Sequence, residues 1–458
     1  MHSSIYSFRL SIISILLSIN LVACGGSGGA SSNSSPASNP TSTNPTGSVD
    51  NPLGPILPGA PANTDLERSM AIAAGILARQ QPDGSWLFDN EGKLTTLTDA
   101  YQGQAGILQF LCLLYQRNSD PILRRSIENG ANWLKNQNIE QIGPSLFSGQ
   151  AGVAYVYLTL ADTLHSVEWR TLAIRIAEKI QHDQTQLSGP GDMISGHISS
   201  GLFFLKLYSV TQEQRWLLVA RDIADQSLSK AVKTSNGLHF ETDIGGGKRV
   251  TYPGFAHGSA GAGYFLLALS QQLQSSSDSA IRQMSSRYSQ SAKEIAQWLR
   301  SIALKNNELI NWYRRDPDQL STLQNQWCHG APGIGLFFTK LYEVSGDPAD
   351  LQMAIEAAKT VTKLSHTGTS LCHGLTGNAQ LYLRLYRLTG DASYLQQART
   401  TADQLWASRN TQLHYPSWMG EDGSQRIHNA SLMTGNAGRA YFFLQMDAPQ
   451  QLAMPFLE

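Results

Sequence analysis

The chain has 458 residues, 34 Lys+Arg against 35 Asp+Glu, a net charge of −1 and only 15% charged residues. This balance excludes a nucleic-acid binder working through a basic surface, and four cysteines in this length exclude a disulfide-stapled scaffold. A hydrophobic fraction of 41% is enough for a large core.

Residues 1–24 read as an export segment. Arg9 precedes the apolar run Leu10–Val22, which ends in Leu21-Val22-Ala23-Cys24. A short apolar run closing on small residues is a signal peptide rather than a membrane span. The tetrapeptide resembles a bacterial lipobox. That implies a lipidated Cys24 as the mature N-terminus, and an exported protein anchored to a membrane of the cell envelope. Residues 25–64 carry seven Pro, seven Gly and a single charge, Asp50. Such a segment buries too little apolar area to offset its ordering entropy, so it reads as a flexible tether. The folded domain is expected over 65–458.

From Leu66 onward the pattern is helical. Leu123, Ile127, Ala131 and Leu134 fall on one face of a helix, as do Trp169, Leu172, Ala173, Ile176 and Ile180. A second helix type alternates with these amphipathic ones. It opens on a Gly-rich turn and continues apolar on nearly all sides. The seven openings start at Gly103, Gly149, Gly196, Gly258, Gly330, Gly374 and Gly435; the third has Ser199 where most have a second Gly. Intervals of 46, 47, 62, 72, 44 and 61 residues predict one helical hairpin per repeat, with insertions in three loops. An open solenoid would need polar-faced terminal caps, yet the last copy, Ala440-Tyr441-Phe442-Phe443-Leu444, is as apolar as the others. The expected fold is therefore all-α: an α/α toroid of seven helical hairpins, apolar helices inside and amphipathic ones outside. All seven turns then share one rim, and residues just before them converge on one cavity.

Cys-His precedes the glycine in two consecutive copies, Cys328-His329-Gly330 and Cys372-His373-Gly374, and His257 precedes Gly258. Asp192 lies just ahead of Gly196. Two thiolates and an imidazole suit Zn²⁺, with a fourth place left for water or substrate. A Cys328–Cys372 disulfide, or two inert buried thiols, satisfies the spacing as well. Cys112, between leucines, reads as core. His257 alone can be a simple cap, and Asp192 a local turn residue.

At these residues the chain resembles the lanthionine synthetase C-like family. Residues 327–334, Trp-Cys-His-Gly-Ala-Pro-Gly-Ile, and 372–377, Cys-His-Gly-Leu-Thr-Gly, look like its two most specific motifs, and the likeness spans about 65–445. The resemblance implies a seven-fold α/α toroid. It also implies one Zn²⁺ held by Cys328, Cys372 and His373, with His257 as acid/base group and Asp192 as its active-site neighbour. His329 is not implied as a ligand. The implied reaction is Michael addition of a Cys thiol to dehydroalanine or dehydrobutyrine, giving a thioether. Binding to Zn²⁺ deprotonates a thiol whose pKa is otherwise near ~8.5, and an imidazole near neutrality can move the proton.

The export segment departs from cytoplasmic cyclases that work beside a dehydratase. Expected partners are a peptide or small-molecule thiol and, through Cys24, the membrane; no nucleic acid is expected, and a monomer is. Two competing readings are a glycan-active toroid and a non-catalytic, zinc-holding peptide-binding scaffold. The first would use Trp86, Trp312 and Trp418 to stack sugars, but it needs two opposed carboxylates. Asp192 alone sits convincingly on the rim; Asp316, Asp318, Glu421 and Asp422 lie in loops.

Overall fold

The computed structural model describes residues 62–90, 93–182, 189–306, 309–316, 323–363, 368–418 and 429–457. The export segment with Cys24, the tether through residue 61, and Asp318, Glu421 and Asp422 lie outside the described residues. Among those described, no helix is long and apolar enough to cross a membrane.

Fourteen α-helices are present among the described residues. In chain order they are α1 (Asp65–Leu77), α2 (Gln104–Arg117), α3 (Pro121–Lys135), α4 (Gln150–Leu164), α5 (Val167–His182), α6 (Ser200–Thr211) and α7 (Gln214–Leu228). They continue with α8 (Ser259–Gln274), α9 (Ser279–Ser301), α10 (Ala331–Ser345), α11 (Pro348–Lys363), α12 (Leu375–Thr389), α13 (Ala392–Ala407) and α14 (Asn436–Asp447). The seven even-numbered helices pack side by side into an inner ring, and the odd-numbered ones surround it. The two types start differently. Four outer helices carry side-chain caps: the Thr64/Glu67 capping box of α1, and Asp120, Asp278 and Asp391 ahead of α3, α9 and α13. Each inner helix except α6 starts at a glycine with no side-chain cap. In α8, as in most of them, the first N–H is satisfied by the chain's own approach: Ser259 N donates to the Tyr252 carbonyl at 2.9 Å. The returning backbone lies so close that a Cβ on Gly258 would sit 1.8 Å from that oxygen. Glycine is thus required by space, not only by flexibility. The third turn, with Ser199, enters through a short 3₁₀ turn, His197–Ser199, and the Ser199 hydroxyl accepts from Leu146 N at 2.9 Å.

Backbone hydrogen bonds stitch the seven turns into a closed circuit, each donor on one turn meeting a carbonyl two residues before the next glycine. The donors and acceptors are Ala100 to Phe147, Ser148 to Ile194, Met193 to Ala256, Ala256 to Cys328, Cys328 to Cys372, Cys372 to Met433 and Met433 to Tyr101. The last joins the seventh turn to the first at 3.0 Å. On the other layer α14 packs against α1, where Ser69 Oγ donates to the Ala440 carbonyl. The first outer helix therefore partners the last inner one, and the toroid is closed.

The three long intervals are insertions. The interval after Gly196 carries two short antiparallel hairpins, β3 and β4 (Val232–Thr234 and Gly237–His239) and β5 and β6 (Glu241–Asp243 and Arg249–Thr251); β1 and β2 (Phe88–Asn90 and Lys93–Thr95) precede the first turn. The interval after Gly258 holds the 23-residue α9 and a fourth hairpin, β7 and β8 (Leu304–Asn306 and Leu309–Asn311). Strands of three residues are too short to show a period-2 pattern, which is why the sequence does not announce them.

Beyond α14 the chain turns back onto the inner helices. Gln445 Nε2 donates to the carbonyls of Leu452 and Ala453, Tyr441 Oη donates to Ala453, and Arg387 donates to Pro449 and Leu452. Met454, Phe456 and Leu457 are buried among the inner helices. Full burial of such a side chain stabilises by roughly 1.5–3 kcal/mol.

Candidate metal centre and its acid–base pair

The backbone circuit assembles the site. The Ala256–Cys328 and Cys328–Cys372 bonds place the fourth, fifth and sixth turns edge to edge, and the Met193–Ala256 bond brings the third turn beside the fourth. Residues 65 and 116 positions apart in sequence, Asp192, His257 and His373 among them, thereby share one patch of rim.

Cys328, Cys372 and His373 offer ligand atoms that all lie within 4.8 Å of one another. Among the described residues this is the one such group of three. Both sulfurs are fully buried, while His373 is half-buried. The cysteines are thiols rather than a disulfide, and Cys328 Sγ approaches Gln326 Oε1 at 3.5 Å. Two thiols and an imidazole this close fit a zinc donor set. The His373 backbone N–H donates to Ser370 Oγ, which fixes the turn.

His257 Nδ1 and Asp192 Oδ2 are 2.9 Å apart, with side-chain exposures of 18% and 16%. Asp192 is held by its own turn: Oδ1 accepts from Ile194 N at 2.7 Å and Ser195 N at 2.9 Å, and Oδ2 accepts from Ser195 Oγ at 3.1 Å. It is both the turn residue and the imidazole's partner. Burial works against its charge, but His257 and those backbone donors outweigh it and hold its carboxyl below the usual value. An ionised Asp192 puts the proton on Nδ1 and leaves Nε2 to act on a substrate.

His329, from the first Cys-His pair, stacks on His257 with ring centroids 5.5 Å apart and is only 1% exposed. Burial, then the charges of His257, Arg314 and His373, keep it neutral, its pKa well below the ordinary value. It is not one of the three residues of the candidate metal group. Tyr252 completes this wall, 5.8 Å from His329 and 6.3 Å from His257. Nothing along the chain marks Tyr252 beyond its place six residues before a turn glycine.

Trp86, Trp312 and Trp418 are 2%, 0% and 3% exposed, and their indole N–H groups donate to the carbonyls of Ile76, Leu299 and Leu405. They are core residues with no face to offer a sugar. Asp316 is tied to Thr251 by a pair of backbone bonds. Cys112 is fully buried, and burial pushes its thiol up to about 12.

A closed double ring of seven helical hairpins with a Cys₂His cluster on its rim defines an α/α-toroid protein of cyclase type in fold. The family model "Lanthionine synthetase C-like protein" matches residues 96–458, and the chain belongs to that family. Among solved structures, nisin cyclase is similar with a TM-score of 0.61 and 16% identity, over 82% of this chain and 92% of that one. That likeness is one of fold. An inactive variant of an alpha-1,6-mannanase of Salegentibacter sp. HEL1_6, in complex with alpha-1,6-mannotriose, aligns at TM-score 0.46 and 13% identity, over 86% of this chain and 100% of that one. An alpha-mannanase of Bacteroides thetaiotaomicron aligns at 0.49 and 11%, over 84% and 95%.

Proposed function

We propose that this chain is a zinc-dependent thiol-addition enzyme that joins a thiol to the Cβ of a dehydroamino acid, giving a thioether. The observation that carries the reading is the Cys328/Cys372/His373 cluster standing one turn away from a carboxylate-held imidazole on the same rim. Bound Zn²⁺ would supply the Lewis acidity that turns a substrate thiol into a thiolate at neutral pH.

The chain's own residues account for the proton. In the net reaction the S–H bond and the Cα=Cβ π bond break, an S–C bond forms at Cβ, and a C–H bond forms at Cα. His257 is the imidazole with an anionic partner, so it is the group assigned to move that proton. Asp192 fixes the tautomer and stabilises the charge that develops on the ring. Both cysteine side chains are fully buried, which shields the thiolates from bulk water. By the same proposal Cys24 is lipidated and the domain works in the cell envelope, its thiol substrate a peptide or a small molecule.

The test pairs metal analysis with catalysis. Purified protein should hold about one zinc per chain, and Cys328→Ala or Cys372→Ala should lose it. Thiol addition to a dehydroalanine peptide should proceed only with metal. His257→Ala should keep the zinc and lose ~10²–10⁴-fold in rate. Zinc-loaded protein with no rate above the metal-free control would leave a metal-holding scaffold as the function. Loss of zinc in His257→Ala would make His257 a ligand and overturn the assignment of His373.

A further inference from the structure

The aromatic side chains under the rim form a path that begins and ends in the C-terminal segment. Phe456 sets its ring edge-on to Phe147, centroids 5.7 Å apart, and to Tyr155 at 5.0 Å. Phe147 lies 5.9 Å from Trp327, Trp327 5.3 Å from Phe255, and Phe255 5.3 Å from Tyr264. The Tyr264 hydroxyl then donates to the Leu457 carbonyl at 3.1 Å. Phe147, Phe255 and Trp327 belong to the second, fourth and fifth turns. Trp327 is bonded directly to Cys328, and Phe255 stands two residues before His257. The floor of the candidate site therefore rests on residues 456 and 457.

Two features set this apart from ordinary core packing. Phe456 has φ 67°, in the left-handed region that a bulky residue rarely adopts. Such a conformation persists only where the surroundings dictate it, and it tends to mark positions under functional constraint. The segment also has no helix or strand of its own; tertiary hydrogen bonds from Gln445, Tyr441 and Arg387 hold it. Its Met454, Phe456 and Leu457 are buried, and it touches two inner helices through Tyr155 and Tyr264.

We propose that residues 449–457 are an internal stopper that positions the metal turn, with Phe456 acting through Phe147 and Trp327 to keep Cys328 in register with Cys372 and His373. Phe456 is a positioning residue, since its contacts are with the floor and not with the ligand atoms. The inference rests on the reading that these three residues hold zinc.

The experiment compares the intact chain with Phe456→Ala, Phe456→Leu and a control, Phe204→Leu, in a fully buried ring that stacks 5.9 Å from Trp216 of the outer ring. Three quantities are measured: zinc affinity by chelator competition, the thiolate absorption of the cobalt-substituted protein, and the alkylation rate of Cys328 without metal. Phe456→Ala should keep its helical circular dichroism, weaken zinc by ~10-fold or more, alter the cobalt spectrum and expose Cys328 to faster alkylation. Phe456→Leu should fall between it and wild type. Phe204→Leu should lower the melting temperature and leave all three readouts unchanged. If Phe456→Ala lowers only the melting temperature, the stopper is packing alone and the proposal fails. Where the alanine variant does not fold, the leucine variant decides on the same readouts. Wild type that binds no zinc refutes the metal reading, while the alkylation comparison still decides the positioning role.

Discussion

Asp192→Asn isolates the acid–base pair from the metal. The substitution keeps the shape, and the amide oxygen can still accept from Ile194 N and Ser195 N, which now bond Oδ1 at 2.7 and 2.9 Å. The amide NH₂ then takes the place of Oδ2, 2.9 Å from His257 Nδ1. A donor there makes Nδ1 an acceptor and moves the ring proton to Nε2, the atom meant for the substrate. Loss of a hydrogen bond to a charged group is worth about 1.5–3 kcal/mol, or roughly 10- to 150-fold in rate. The tautomer change adds to this; the same exchange in a serine-protease triad costs about 10⁴ in kcat. The expected loss in kcat is therefore ~10²–10⁴, with zinc content near wild type and the melting temperature lowered at pH 7. The stability difference has a defined sign. The Asp192 carboxyl lies below its unfolded value, so its contribution is complete above about pH 4 and is lost as pH falls through the folded pKa. The assay follows thioether formation between a thiol peptide and a dehydroalanine peptide by mass spectrometry, with metal analysis on the same sample. An asparagine variant that turns over at the wild-type rate refutes the pair's role, and one that loses zinc shows that the third turn supports the metal instead.

Three further outcomes are expected. Gly330 has φ 114°, and a Cβ there would lie 2.1 Å from the Gln324 carbonyl; Gly330→Ala should cost about 2 kcal/mol or more in urea denaturation and weaken zinc binding at the adjacent turn. The Cys112 thiol is pushed up to about 12 by burial, whereas an unfolded thiol ionises near ~8.5. The unfolded chain thus loses its proton first, stability falls as pH rises above that value by up to about 1.4 kcal/mol per pH unit, and Cys112→Ala should flatten the fall seen in urea melts between pH 8 and 10. Cys24→Ser should release the protein from membranes or block its processing; unchanged fractionation and processing would count against the lipobox.

Much of the architecture was readable along the chain because it rests on local rules. Alternation of all-round apolar helices with one-faced helices, each apolar one opening at a glycine, marks an inner and an outer layer wherever it occurs. Gly258 and Gly330 could be nothing else, since backbone returns upon backbone there. The Cys-His-Gly pairs at 328–330 and 372–374 pointed to a metal by donor chemistry. Tertiary structure alone decided what depends on contacts between distant turns. Spacing left disulfide, inert thiols and metal open, and three ligand atoms within 4.8 Å narrowed that choice toward a metal. Spacing alone allows Asp192 to be a mere turn residue, and only the family resemblance implies it as His257's neighbour; in the fold the Met193 N to Ala256 bond is what brings the two side chains together. Trp86, Trp312 and Trp418 looked available until packing buried them. Ring closure through Met433 and Tyr101, and the return of Phe456 beneath the rim, leave no periodic trace, because each is a single long-range contact and periodicity records only what repeats.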